Sequence, residues 1–356
     1  MATDARTGLT PVIDSLGAYV LPGRVSDPRA AIGEAKTIEH LGLGTVWISE
    51  RYGTKDLGVL TGAISQATTQ PKIASGISHF LFRHPLSMAS MAMTAQSLSN
   101  GRFILGIGRS VGPMFSSVGL PAMTNVVLAD CADMYRKLTR GERVRYDGAA
   151  GKFPAMRLGD MPGVTPPPIY FAAIGPNSMD LAGTHFDGLI THPFLTVDAV
   201  RRAALKARRA AEVAGKDPAA LRVVATVVVA PDLPLAQEEA MIGGRAVTYF
   251  QIPKFGELLA EVNEFDMAEV EKLRAHPKLV GIKGSADNLF TKDELGEVGR
   301  SLPKHWLESA AAVGSAGHCA KRLQEYLDAG ADELILHGAT PELLGPTISH
   351  FRANQG

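Results

Sequence analysis

Short runs of β-branched, aromatic and small residues alternate with helical stretches along this chain, and that repeating order limits the fold more than any single motif does. The runs are Leu16–Val20, Thr45–Ser49, Lys72–Ile77, Phe103–Ile107, Ile169–Ala173, Gly188–Thr191, Arg222–Val229 and Leu334–Leu336. Each ends near glycine, proline or a polar residue, as a buried parallel strand does where its carboxyl end opens into a loop. Between them lie helical patterns: one opened by Asp27-Pro28 as N-cap and first-turn proline and running to about Leu41, one reaching about Thr68, and one over Pro85–Leu98. Others follow at about 126–139, 316–328 and 341–352, and DAVRRAALKARRAAEVAG gives a basic amphipathic helix whose arginines read as a solvated face. Eight strands alternating with helices, with no charge-rich linker, predict an α/β fold, a single (β/α)8 TIM barrel over the whole chain.

Two segments break the rhythm. Residues 112–165, after the fourth strand, contain a Gly-rich piece with β-type residues around Tyr146-Asp147-Gly148 that reads as an inserted hairpin. Residues 253–313, after the seventh strand, carry polar helices at about 254–263, 266–275 and 293–300. Both insertions sit where covers of a barrel mouth belong.

At 356 residues the chain accommodates such a barrel with insertions. Lys plus Arg and Asp plus Glu are both 36, so there is no basic field to gather nucleic acid or an anionic membrane. Cys131 and Cys319 are too few for a disulfide framework and fit a cytoplasmic setting. No apolar run approaches the ~20 residues that span a bilayer.

In a TIM barrel the chemistry lies at the carboxyl ends of the strands. That rule selects Tyr19, Ser49, Glu50, Arg51, Ser78, His79, Gly108, Arg109, Ser110, Ala172, Ala173, Ile174, Gly175, Pro176, His192 and His337, with an apolar lining from Ile77, Phe80, Phe82 and Met114. No metal cluster is expected, because the histidines stand singly without i,i+4 partners or grouped acids. A serine-hydrolase elbow is missing, since no G-x-S-x-G follows a strand. The run G-I-G-R-S-V-G at 106–112 places its third glycine one position late for a dinucleotide fingerprint, and Pro113-Met114 stands where a helix should begin. What remains is backbone amides, small hydroxyls, two arginines and a few imidazoles, a set suited to an organic cofactor whose own ring performs redox chemistry. Glycines 106, 108 and 175 remove Cβ where a phosphate or flat ring would approach the main chain, and the segment after Gly175 is helical, with its amino end aimed at the same place. The plainer alternatives are turn glycines, histidines that are structural, an Arg51 that merely pairs with Glu50 or Asp56, and an Arg83 that caps a helix.

The stretches TVWISERYG, ISHFLFRHPLSMASMAMTAQSLSNGRFILGIG and FAAIGPNSMDLAGTHFDGLI together resemble the bacterial luciferase-like flavin and deazaflavin oxidoreductases, in particular the branch that uses coenzyme F420. The resemblance implies a cofactor ring over a bulge in the third strand, commonly with a non-proline cis peptide. The matching bond is Gly76-Ile77, or Ser75-Gly76 after a one-residue shift. It implies a phosphate cradle of Ala173, Ile174, Gly175, Pro176 and Asn177 with Ser178, a ring bordered by Gly108, Arg109 and Ser110, and further cofactor contacts from Ser49, Gly76, Ile77, Ser78, Ala172 and His192. A homodimer acting on a small-molecule substrate is implied as well.

Where many F420 enzymes carry Asp-His or Glu-His after strand two, this chain has Glu50-Arg51, and Val111 stands where sugar-phosphate dehydrogenases have a glutamate. The expectation is therefore that Glu50 and Arg51 shape the site, while His79, ahead of His192 or His337, exchanges a proton with substrate. The favoured activity is hydride transfer between F420 and a small organic molecule. The rivals are an FMN-dependent monooxygenase using oxygen and a non-catalytic F420 carrier.

Overall fold

The computed structural model describes residues 10–51, 54–109 and 118–355. The first half-barrel is β1 (Ile13–Val20), α1 (Ala30–His40), β2 (Leu43–Ile48), α2 (Leu57–Ala67), β3 (Lys72–Ser75), α3 (Pro85–Leu98) and β4 (Phe103–Gly108). Then come α4 (Asn125–Thr139), a hairpin of β5 (Val144–Gly148) and β6 (Gly151–Met156), β7 (Ile169–Ala173), α5 (Pro176–His185), β8 (Gly188–Thr191), α6 (Val197–Val213) and β9 (Arg222–Pro231). The last third holds α7 (Leu235–Phe250), α8 (Phe255–Asn263), α9 (Met267–Arg274), α10 (Lys292–Gly299), α11 (Lys304–Ser309), β10 (Ala311–Gly314), α12 (Ala316–Asp328), β11 (Glu333–Gly338) and α13 (Pro341–Ala353).

Strands β1, β2, β3, β4, β7, β8, β9 and β11 pair in that order, all parallel, and β11 returns to β1 with Leu16 opposite Leu334. The ring is closed, as the alternation of strands and helices predicts. One residue from each strand fills its interior: Tyr19, Trp47, Ala74, Ile104, Tyr170, Ile190, Val224 and Ile335 form a cluster separate from the larger core beneath the helices. Large rings are accommodated by glycines on neighbouring strands. A Cβ on Gly17 would lie 2.7 Å from Trp47 Nε1, and one on Gly188 would lie 2.6 Å from the Tyr170 ring. The Trp47 indole donates 3.0 Å to buried Glu333, so its polar edge is satisfied inside the barrel.

Several boundaries differ from expectation for identifiable reasons. Helix α1 starts at Ala30, because Asp27 bonds the Arg29 amide and guanidinium in a turn instead of capping the helix. Strand β3 stops at Ser75, where the chain leaves the ladder. Strand β9 continues to Pro231, because its last four residues pair with β10, a strand that the sequence reading placed inside the second insertion. That insertion begins earlier than 253, with helix α7. Among the described residues no helix is long and apolar enough to cross a membrane, and no group of three or more His, Cys, Asp or Glu could hold a metal.

Candidate active site

At the carboxyl end of β3 the backbone bulges, and the Gly76-Ile77 bond is cis, the first of the two positions that the resemblance offers. The bulge is bound on every side. Gly76 N donates to the Ile48 carbonyl at 2.8 Å, its own carbonyl accepts the Tyr19 hydroxyl at 2.6 Å, and the Ile77 carbonyl accepts Glu50 N at 3.2 Å. On the β4 side the Ser75 hydroxyl accepts from Gly106 N and donates to Gly106 O, both at 2.8 Å, replacing ladder bonds that the bulge removes. Ser78 N then bonds Gly106 O at 2.8 Å, and Gly108 N bonds Ser78 O at 2.9 Å.

This geometry gives two of the rim glycines another reason to exist. A Cβ on Gly106 would sit 1.8 Å from the Ser75 carbonyl oxygen, and one on Gly108 would sit 1.9 Å from Ile77 Cδ1. Their missing side chains make room for the bulge of β3, and the space they leave is filled by protein atoms. Gly175 differs, because its Cβ would meet only the end of the Leu258 side chain at 3.1 Å, a contact that a rotamer change relieves.

Glu50 is the polar hub beneath this rim. Its carboxylate accepts the Ser78 hydroxyl, the Leu57 amide at 3.0 Å, and both terminal nitrogens of Arg83, at 3.0 and 2.5 Å. Arg83 also reaches Asp56 at 2.8 Å. It does not cap a helix; it occupies both acids that were candidates for Arg51. Arg51 turns instead to Asp287 of the insertion, at 3.5 Å, a carboxylate shared with Arg24. A carboxylate so fully engaged positions its neighbours.

The three imidazoles named from sequence lie at strand ends, each with its pKa lowered chiefly by burial. His79 Nδ1 bonds the Gly108 carbonyl at 2.9 Å, so Nδ1 carries the hydrogen in the neutral ring. His192 donates from Nδ1 to the Pro193 carbonyl at 2.7 Å, packs edge-on against Tyr249 and Phe255, and is pushed down to about 4. His337, 7% exposed, stands 4.8 Å from the Tyr19 ring and is held well below the usual imidazole range. All three are neutral at pH 7, which suits hydrogen bonding better than storage of an acid proton.

At the end of β7, helix α5 starts from Gly175 with Pro176 in its first turn and no side chain capping it. Helices α2, α6 and α12 are capped by Asp56, Thr196 and Ser315. Pro176 and Asn177 are exposed, and Ala172, Ile174 and Ser178 half-buried, so the amino end of α5 faces outward from the rim. Ser49 is half-buried at the end of β2. The Arg109 guanidinium binds the Met123 carbonyl at 2.9 Å and the Asn125 side chain, which anchors the start of α4. Ser110, Val111 and Met114 lie outside the described residues.

Sequence reasoning missed the element that closes the mouth. Helix α7 crosses the strand ends with Met241, Arg245 and Tyr249, spaced by four and therefore on one face. Met241 Sδ lies 3.3 Å from the Cβ position of Gly338, Arg245 Nη2 lies 3.1 Å from that of Gly23, and Tyr249 packs on His192. Periodicity over residues 241–249 was available as a signal, although Gly243-Gly244 reads as a break. Lys55, 1% exposed, was missed too; its ammonium donates to the Leu21 and Gly23 carbonyls after β1.

Comparison with known proteins adds identity to this geometry. The family described as luciferase-like monooxygenase matches residues 13–333. A 5,10-methylenetetrahydromethanopterin reductase of Methanolobus tindarius is 25% identical over 319 residues, 87% of this chain and 90% of the relative. The solved coenzyme F420-dependent tetrahydromethanopterin reductase of Methanopyrus kandleri superposes with a TM-score of 0.77 at 19% identity, covering 97% of this chain and 99% of that one. An F420-dependent secondary alcohol dehydrogenase, solved with an F420-acetone adduct, superposes at 0.70 with 18% identity, over 94% of this chain and 97% of its own.

Proposed function

The chain belongs to the luciferase-like monooxygenase family, and from that premise we propose that it is an oxidoreductase that uses coenzyme F420 to move a hydride to or from a small organic substrate. The observation that carries the reading is the amino end of α5, where no side chain caps the helix and the Asn177 amide of the first turn lies beside Gly175. Such an end suits a cofactor phosphate, and the named activities of the F420-dependent relatives support the same cofactor. When bound, the deazaflavin supplies two-electron hydride chemistry at its C5 carbon.

In this reading the chain's own groups do the following. The amides of Ile174, Gly175 and Asn177, with the Ser178 hydroxyl, would hold the phosphate; the Ser178 amide already donates to the Gly175 carbonyl at 3.0 Å. The bulge at Gly76-Ile77, with Ser78 and Gly108, gives a rigid floor for a flat ring, kept in place by Tyr19, Ser75 and Glu50. His79, neutral at rest, would take up a proton from substrate as the hydride leaves it and return that proton in the reverse direction. Helix α7 covers the mouth and excludes water.

Titration of the full chain with F420 and with FMN tests the cofactor. Tight FMN binding without F420 binding removes the proposal in favour of an oxygen-using flavin enzyme. Single-turnover assays on the F420-loaded protein with alcohols, enones and imines test the chemistry; F420 binding with no turnover across the panel favours a carrier. Gly175→Val tests the cradle. The fold tolerates it by moving Leu258, and F420 affinity should drop about tenfold as the branched side chain covers the amides. Unchanged affinity removes the phosphate assignment.

A further inference from the structure

On the side of the mouth away from the α5 cradle, polar groups lack the partners that the β3 rim has. Among the described residues no hydrogen bond or ion pair is made by Arg245, and its Nε is fully buried. His337 Nδ1 is likewise buried without a partner. Buried groups of this kind cost on the order of 1–3 kcal/mol each when unsatisfied, so their persistence calls for an acceptor that arrives from outside.

The local charge says which acceptor. Arg245 reaches toward Gly23, whose carbonyl also binds the Lys55 ammonium at 2.6 Å, and Arg24 and Arg51 stand next to the same loop. Among the described residues two carboxylates face these four cations: Asp287, shared by Arg24 and Arg51, and Glu34, which accepts the Leu21 amide. Neither of them is paired with Arg245. Burial together with Arg51 and Arg245 lowers the Lys55 pKa to about 8, the response of a cation among like charges.

We propose that Arg245 and His337 form an oxyanion site in the barrel mouth that holds a carboxylate or phosphate carried by the substrate. This rests on the reading of the mouth as the substrate chamber of an F420 oxidoreductase. The cofactor's phosphate does not compete for it, because in the closed ring of strands β7, which carries the cradle, stands diametrically opposite β1, whose end Lys55 and Arg245 converge on. An oxyanion there accepts from the guanidinium and from the imidazole N–H, completing both, and Tyr19 and Tyr249 flank it.

The test uses the full chain loaded with F420 at low ionic strength, titrated calorimetrically with inorganic phosphate and separately with acetate. The wild type is expected to bind at least one of them; preference for phosphate assigns a phosphorylated substrate, and preference for acetate a carboxylic acid. Arg245→Met should weaken that binding by about tenfold or more, the loss of one charge-assisted contact, with F420 affinity and melting temperature maintained. If Arg245→Met lowers the melting temperature markedly, His337→Phe, which keeps the ring against Tyr19 and removes the nitrogen, carries the same titration. No binding of either anion to the wild type, or equal binding to wild type and variant, overturns the proposal. A loss of F420 affinity parallel to the loss of phosphate overturns it too, because the cluster would then hold the cofactor's anion. Failure of the wild type to bind F420 sinks the function proposed above and is read separately, since phosphate titration of the cofactor-free chain still reports on Arg245.

Discussion

The rim formed by β3 and β4 and the rim formed by β11 and α7 face each other across one barrel mouth, yet they are built on different principles. In the first, the polar atoms of Gly76, Gly106 and Ser78 are partnered within the chain, and glycine removes side chains where two backbones nearly touch. In the second, single long side chains from separate elements converge, and Arg245 and His337 remain unsatisfied. A surface that must present a fixed shape is best made of main chain. A surface that must select a molecule by charge needs groups whose hydrogen bonds are still to be made.

The contrast can be broken most decisively at Gly106. An added methyl would lie 1.8 Å from a backbone oxygen, so Gly106→Ala should cost more than about 4 kcal/mol or prevent folding. Urea denaturation measures it, and a loss below 1 kcal/mol would show the two strands to be far looser than described.

Next in size is Glu50→Gln, which leaves Arg83 without its main counter-charge. Both side chains are largely buried, at 10% and 18% exposure, and the expected loss is about 2–3 kcal/mol by the same measurement. Arg83→Met made together with Glu50→Gln should recover part of it.

The histidines sharpen the comparison through pH. The unfolded chain protonates an imidazole near pH 6.5, whereas burial holds His192 at about 4. Between those values the unfolded state binds the extra proton, so stability falls as pH falls through that window, by on the order of 1 kcal/mol for this residue between pH 6.5 and 5. His337 and His79 add loss of the same sign. His192→Phe should flatten the dependence; an unaltered acid profile would show that the ring protonates freely in the folded state.

The smallest loss of stability belongs to Arg245→Met, which should leave the unliganded chain as stable as the wild type or up to about 1–3 kcal/mol more so, because no described hydrogen bond or ion pair is lost and an unsatisfied buried group is removed. If this variant were as damaging as Glu50→Gln, the two rims would not differ in kind.

The same contrast explains what could be read from sequence. Alternating strands and helices and the glycine-proline turn after Ala173 are contiguous patterns and lie close to where the sequence puts them, whereas the bulge after Ser75 was implied by the family resemblance alone. Helix α7 was missed because Gly243 and Gly244 read as breakers. In the fold glycines let two helices meet: a Cβ on Gly299 of α10 would lie 2.7 Å from the Gly243 backbone, and one on Gly296 2.9 Å from Ala240 Cα. Strand β10 escaped notice because Ala-Ala-Val-Gly has neither length nor alternation. The pairing of Arg83 with Glu50 and Asp56 spans 33 and 27 residues, and that of Arg51 with Asp287 spans 236; no local rule selects such partners from several acids.

The excursion that carries α7 leaves and rejoins the barrel at one point. Asp232 N donates to Gly314 O at 2.8 Å, the Asp232 carboxylate accepts Ala316 N at 3.1 Å, and β10 lies along the last residues of β9. Everything between is therefore a cassette with clasped ends, whose length is independent of ring closure. Extra residues at its exposed Gly281–Gly284 tip add only the slowly growing entropy of a longer loop, about 0.6 kcal/mol per doubling. A lineage or an engineer can rewrite what the mouth admits without reopening the question of how the barrel shuts.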